Sequence, residues 1–464
     1  MKRLSLTDDA LLRAETRRQP LHIAMLMLFQ PPAGAPPDFA AKLGERLRQS
    51  VRAVEPFNQR LVRRRGLHYW KPDDDEFDLA HHFVHTSLPK PGRIRELLAM
   101  VSRVHCAHLD RAYPLWRIYL IEGIEDGSIA VYFKIHHSVA DGVGCIRMLM
   151  NTMSTDAAES LKLPPPWEVP LQTEHVQASP VPTRTAGAMT ALRSLARERT
   201  KAIGPLVREL RTTWNDYRAK NPDLVVAGQA PRCLFNAKVS GSRRFAAQSY
   251  STPRMRAVAK AGSASLNDVV LAMCSGALRR YLEDRNELPD RPLIGAIPVS
   301  TRQDDSVLGN SVSFTMAPLA THIADPAERL AAISSAMTYN KERMKRLSPG
   351  TLVAYAGLTL IPGAVQALLG RAPDSTLANV CISHVPGPRE DLYWQGARLT
   401  GLYPVSVVTD SGALNITIVS RHDTTDFGLI ACRRTVPHVQ RLLTYLEDAL
   451  VDLETAYGLE AASR

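Results

Sequence analysis

Between residues 129 and 154 the apolar period of the chain changes. Ile129, Val131, Phe133 and Ile135 alternate with Ala130, Tyr132 and Lys134, the period of two expected of a strand. Ile146, Leu149, Met150 and Met153 then recur at helical spacing. Between them lies His136-His137-Ser138-Val139-Ala140-Asp141-Gly142. Two imidazoles, a carboxylate and a glycine are thus expected at a strand end, where a loop presents side chains to a cleft.

The chemistry open to such a loop is narrow. A neutral imidazole, with an unperturbed pKa of about 6.5, accepts a proton near neutral pH. Beside a bound alcohol it can act as general base while the oxygen attacks an acyl carbon, a role worth about a hundred- to ten-thousand-fold in rate. Asp141 can orient the ring or the loop through a charge-assisted bond, and Gly142 leaves room for a substrate to approach the backbone. Two plainer readings compete. The histidines are ordinary strand-end residues, or they ligate a metal; no Cys or His cluster with ligand spacing supports the second.

A chain of 464 residues suggests two domains. Six scattered cysteines, Cys106, Cys145, Cys233, Cys274, Cys381 and Cys432, suggest neither a disulfide framework nor a zinc site and fit a reducing cytosol. The start, Met1-Lys2-Arg3-Leu4-Ser5-Leu6-Thr7-Asp8-Asp9, is a poor signal peptide. No apolar run is long enough to span a bilayer, and the nearest, 357–370, is broken by Pro362. Any membrane contact is therefore expected to be peripheral. A net charge of +11 favours anionic partners, but no nucleic-acid-binding motif is present and aromatics for base stacking are few.

Taken in order, Leu11 and Leu12 mark a short helix that Pro20 separates from an apolar strand containing His22. Residues 37–53 read as an amphipathic helix, and Arg60, Arg63, Arg64 and Arg65 as a solvated turn. His81-His82-Phe83-Val84-His85 is a second histidine cluster with no following Asp-Gly, and reads as structural. Leu109-Asp110-Arg111-Ala112-Tyr113-Pro114-Leu115-Trp116 precedes a strand; Pro114, Leu115 and Trp116 are either a packed turn or a wall of a substrate channel. Prolines from Pro164 to Pro182 mark a linker. Residues 183–220 carry nine Lys/Arg against three Asp/Glu on helical patterns, suited to an anionic membrane surface or to packing on a neighbouring domain. The organisation expected is therefore 1–162, a linker with basic helices over 163–228, and 229–464. In the last segment Asn267 is a plausible N-cap for an amphipathic helix, Leu293 to Val299 and Val380 to Ile382 read as strands, and the apolar run 352–369 either lines a tunnel or fills core.

Several of these strings together resemble the bacterial wax ester synthase/acyl-CoA:diacylglycerol acyltransferases. That family belongs to the condensing acyltransferases, with chloramphenicol acetyltransferase and the peptide-synthetase condensation domains. His136-His137 with Asp141-Gly142 resembles its His-His-x-x-x-Asp-Gly signature. The opening helix and strand, Leu-Asp-Arg-x-x-Pro-Leu-Trp, Asn267-Asp268-Val269-Val270-Leu271-Ala272, Pro298-Val299-Ser300-Thr301-Arg302 and Asn379-Val380-Cys381-Ile382-Ser383-His384-Val385-Pro386-Gly387-Pro388 follow in the family's order. One departure is His384, where the family usually has asparagine. The likeness runs from Leu4 to about Leu450.

The resemblance implies an α/β fold of two chloramphenicol-acetyltransferase-like subdomains, each a mixed sheet flanked by helices, with a channel between them. It implies an acyltransferase that moves a long-chain acyl group from acyl-CoA to a fatty alcohol or diacylglycerol, with no cofactor beyond that substrate and no nucleic-acid partner. His137 would be the base, with His136, Asp141 and Gly142 around it. Asp141 would be structural and paired with an arginine, for which Arg302 is the candidate. Pro114, Leu115, Trp116, Asn267, Asp268 and Ser383 would contact substrate. The protein would be cytoplasmic, peripheral to the inner membrane or to lipid inclusions. His136 and Asp141 also match the His-x4-Asp of membrane glycerolipid acyltransferases, which would predict membrane spans. Two alternatives stay open: a related enzyme using a carrier-protein-bound acyl group or a small polar acceptor, and a non-catalytic lipid-droplet protein.

Overall fold

The computed structural model describes residues 1–73, 77–170, 208–209, 211–226, 228–300, 312–346 and 376–459. In chain order the strands are β1 (Lys2–Arg3), β2 (His22–Gln30), β3 (Gln59–Arg64), β4 (Leu67–Pro72), β5 (Phe83–Ser87), β6 (Trp116–Glu122), β7 (Ile129–His136), β8 (Arg243–Ser251), β9 (Ile294–Ser300), β10 (Val312–Pro318), β11 (Val380–Pro386), β12 (Tyr393–Trp394), β13 (Ala397–Val405), β14 (Leu414–Ser420) and β15 (Thr424–Cys432). The helices are α1 (Leu6–Ala14), α2 (Phe39–Arg48), α3 (Leu79–His82), α4 (Ile94–Cys106), α5 (Gly142–Met150), α6 (Ala157–Ser160), α7 (Thr252–Ala261), α8 (Leu266–Glu283), α9 (Pro326–Arg346) and α10 (Arg441–Ala456). The strand–loop–helix expected around the paired histidines is β7 followed by α5.

Two six-stranded mixed sheets carry the fold. The first runs β12-β13-β2-β7-β6-β5 and the second β10-β9-β11-β14-β15-β8. Residues 229–464 therefore do not stay in one sheet: β12 and β13 leave the second half, and β13 pairs antiparallel with β2. This crossover is packed tightly. A Cβ on Gly428 would lie 1.9 Å from the carbonyl oxygen of Pro404, so β15 and β13 meet where only glycine fits. Buried Asp426 ties the same crossing, accepting from Leu402 N at 2.8 Å, Ser249 Oγ at 2.6 Å and Arg421 Nε at 2.6 Å.

The central strands β2 and β7 are apolar on both faces because both faces are covered. Ile23, Met25, Met27, Val131, Phe133 and Ile135 enter one core with α2 and α5. Ala24, Leu26, Ala130 and Tyr132 join the core of the second half, together with Leu97 and Val101 of α4. α4 also protects the edge strand β8, whose outward amides are satisfied from outside the sheet. Phe245 N donates to Ser102 Oγ at 2.9 Å and Arg243 N to Cys106 Sγ at 3.1 Å.

Three local expectations are corrected. The basic cluster at Arg60 to Arg65 is not a turn alone: it forms β3 of a small β1-β4-β3 sheet, and the chain reverses at Arg65 and Gly66, both at positive φ. The helix expected over 37–53 is confined to α2. Asn267 does not cap α8; Ser265 does, in a capping box with Asp268. Arg302, the run 352–369 and most of 163–228 lie outside the described residues.

Candidate active site

β7 ends at His136, opposite His22 of β2. Two backbone bonds then fix the departing loop: His136 N donates to Leu115 O at 2.9 Å and His137 N to Leu21 O at 3.0 Å. Asp141 caps α5, accepting from Gly144 N at 2.7 Å, so its carboxylate closes the loop onto the helix it starts. Gly142 is exposed with open space where a Cβ would stand.

The two histidines differ in what their rings can do. His136 is 1% exposed. Its Nδ1 accepts from Ser138 N at 3.1 Å and lies 2.7 Å from Ser138 Oγ. A backbone amide only donates, so Nδ1 carries the lone pair and a neutral ring holds its proton on Nε2. That nitrogen faces Glu15 Oε1 at 3.7 Å. The basic nitrogen of His136 is thus already engaged. His137 is half-buried, and burial pushes its pKa below the ordinary 6.5, while the Asp141 carboxylate pulls the other way. A ring whose pKa is depressed is neutral at pH 7.

Glu15, at the end of α1, was not singled out in the sequence, although it closes the opening helix pattern. Burial would raise its carboxyl, but bonds to His136 and Arg111 outweigh burial and hold it at about 2. It accepts from Arg111 Nη2 at 2.9 Å and from Leu21 N at 3.0 Å. Arg111, from the Leu-Asp-Arg string, thereby braces the loop that carries the histidines. A second polar group lies on the face of β7 that His136 shares. Lys134 is 2% exposed and donates to the carbonyls of Val104, at 3.1 Å, and Ala107, at the C-terminal end of α4. Burial pushes its ammonium down to about 7. His22 Nε2 donates to His105 O at 2.7 Å, and His105 bridges Tyr132 Oη and Ser406 O at 2.8 and 3.1 Å.

The remaining sequence candidates divide. Pro114, Leu115 and Trp116 are buried. The Trp116 indole donates to Phe57 O at 2.7 Å and stacks on His82 at 4.4 Å, so the packed reading describes it, and the turn serves the loop through the carbonyl of Leu115. The second histidine cluster is structural at His82, whose Nδ1 bonds Trp116 O at 2.9 Å. The Asp268 carboxylate is spent on the start of its own helix and on Ser334 Oγ at 3.3 Å. Asn267 and Ser383 remain half-buried. On β11, Ile382 packs into the core of the second half while Val385 packs against the core that holds Ala140 and Ile146. Strand alternation therefore puts Ser383 on the face of β11 turned toward the first half.

Twin mixed sheets, a strand exchanged between halves and a histidine loop at a strand end define the class: this is the condensation-domain fold of the acyltransferases. The first condensation domain of the CDA synthetase matches with TM-score 0.59 and 15% identity over 100% of this chain and 98% of its own, a likeness of fold alone. Within that class the chain belongs to the wax ester synthase/diacylglycerol acyltransferase family and is an acyltransferase. The family's catalytic-domain model matches residues 4–270 and its C-terminal-domain model residues 308–454. The O-acyltransferase WSD of Acinetobacter baylyi is 43% identical over 97% of this chain and 96% of its own. A putative diacylglycerol O-acyltransferase of Mycobacterium tuberculosis is 42% identical over 98% and 100%. The wax ester synthase/diacylglycerol acyltransferase of Marinobacter aquaeolei VT8 superposes with TM-score 0.81 at 42% identity over 99% and 100%.

Proposed function

We propose that the protein transfers a long-chain acyl group from acyl-CoA to the hydroxyl of a fatty alcohol or a diacylglycerol, with His137 as general base and no acyl-enzyme. The observation that carries the choice of base is the contrast between the rings. The His136 lone pair is taken by Ser138, whereas His137 is half-buried and held neutral. His137 takes the hydroxyl proton as the oxygen attacks the thioester carbonyl, the tetrahedral intermediate collapses, and the imidazolium returns the proton to the departing CoA thiolate. Asp141 holds the loop at the head of α5, and Ser383 and Asn267 contact substrate from the second half.

Contact with a membrane or lipid inclusion is supported by an exposed pair on the described part of the basic segment. Trp214 and Tyr217 are 55% and 51% exposed, and the Arg218 guanidinium lies over the indole. Among the described residues no helix is long and apolar enough to cross a membrane.

The test is product analysis by thin-layer chromatography, with radiolabelled palmitoyl-CoA offered hexadecanol or diacylglycerol. Wild type should form labelled wax ester or triacylglycerol. His137→Ala should lose about a hundred-fold or more in kcat; retention of activity rejects His137 as the base. His136→Ala should be less damaging, and the reverse order would assign the base to His136.

A further inference from the structure

His384 stands on β11 between Ser383 and Val385, at the end of the strand that abuts the first half. Its ring spans two partners on different elements. Nδ1 lies 3.3 Å from Asn267 Oδ1 in the first turn of α8, and Nε2 lies 2.7 Å from Ser420 Oγ at the end of β14. An amide oxygen only accepts, so Nδ1 carries the proton and Nε2 accepts from the Ser420 hydroxyl. Ser420 is anchored in turn through Thr425 at 3.2 Å, and Thr425 through Thr252 at 2.9 Å. A hydroxyl chain rooted at the start of α7 thus fixes the far edge of the ring, and the near edge fixes the oxygen of Asn267. With that oxygen tied down, the Asn267 amide NH2 is left in one orientation.

We infer that His384 is a positioning residue that orients the Asn267 side chain for substrate. This rests on the reading of Asn267 as a substrate contact. Burial pushes the His384 ring down to about 4, so it stays neutral through the working range and serves as a fixed donor rather than a second base. The role needs only the atom at the Nδ1 position to reach Asn267. Asparagine places its amide nitrogen there; glutamine places its amide at the Nε2 position instead. An asparagine at 384 can therefore replace the function, and a glutamine, of similar bulk and polarity, cannot.

The experiment is steady-state kinetics with palmitoyl-CoA and hexadecanol on folded, purified variants, paired with 15N NMR of the ring. His384→Ala and His384→Gln should each lower kcat/KM about five- to ten-fold, the effect of one lost hydrogen bond. His384→Asn should restore it to within about two-fold of wild type. In the cycle with Asn267→Ala, the double variant should be no worse than Asn267→Ala alone, because His384 acts through that side chain. The NMR spectrum at pH 7 should show Nδ1 protonated and Nε2 bare. Additive losses, equal activity of the Asn and Gln variants, or the opposite tautomer would each overturn the inference. Full activity of Asn267→Ala would instead reject Asn267 as a substrate contact.

Discussion

At the scale of the residue, the paired histidines are distinguished by what their nitrogens already hold. The sequence presents them as equals, one residue apart. Ser138 and Glu15 make His136 a braced ring, and burial makes His137 a neutral one. The pH dependence follows from the sign of that shift. As the proposed base, His137 would act unprotonated, and that form is lost as pH falls through its pKa. Since that value is pushed below 6.5 in the free protein, the acid limb of kcat/KM should lie below pH 6.5. A pH–rate profile with its acid limb at or above 6.5 would contradict the assignment. Legibility at this scale was uneven. His137, Asp141 and Gly142 could be read from one short run. Glu15, Arg111 and Lys134 could not, because each reaches its partner across an element boundary that the sequence does not display.

Glycines show at the scale of the element how similar residues carry different loads. Gly142 sits in the motif with open space around its missing Cβ, whereas Gly428 sits in β15 against the backbone of β13. Gly142→Ala should therefore leave the melting temperature within a few degrees of wild type, and Gly428→Ala should abolish soluble expression or lower the melting temperature sharply. Thermal denaturation followed by circular dichroism measures both. If Gly142→Ala folds normally but loses activity, the motif glycine serves substrate access. The strands and helices themselves were well marked by period: β2, β6, β7, α1 and α8 fall where the sequence puts them. The β3–β4 hairpin was missed because its arginines mask a half-exposed strand pattern, whereas the cap of α8 is written in the sequence as Ser265-Leu266-Asn267-Asp268, the Ser-x-x-Asp spacing of a capping box.

For the whole molecule, the crossing of β13 over β15 joins the halves, and Asp426 is its buried anchor. Asp426→Ala leaves the Arg421 guanidinium, 13% exposed, without its carboxylate and Leu402 N without its acceptor. A cost of about 3–5 kcal/mol is expected, read as a lowered midpoint in urea. A midpoint unchanged from wild type would show that the crossover does not depend on this anchor. The same crossing lies beyond what composition displays: composition marks a linker before 229, but it cannot show that a later strand returns to an earlier sheet.

The sequence by itself determined the local pieces and their chemistry: a strand, a histidine loop and a helix, repeated apolar periods, and a family's motifs in order. These are short-range properties, written in spacing and residue type. Tertiary structure alone decided that His136 faces Glu15, that this carboxylate braces the loop, and that β12 and β13 complete the first sheet. The return of β13 to the first sheet depends on contacts between residues far apart in the chain, as between Thr400 of β13 and Leu28 of β2, 372 positions apart. Only the packed chain brings such residues within hydrogen-bonding distance.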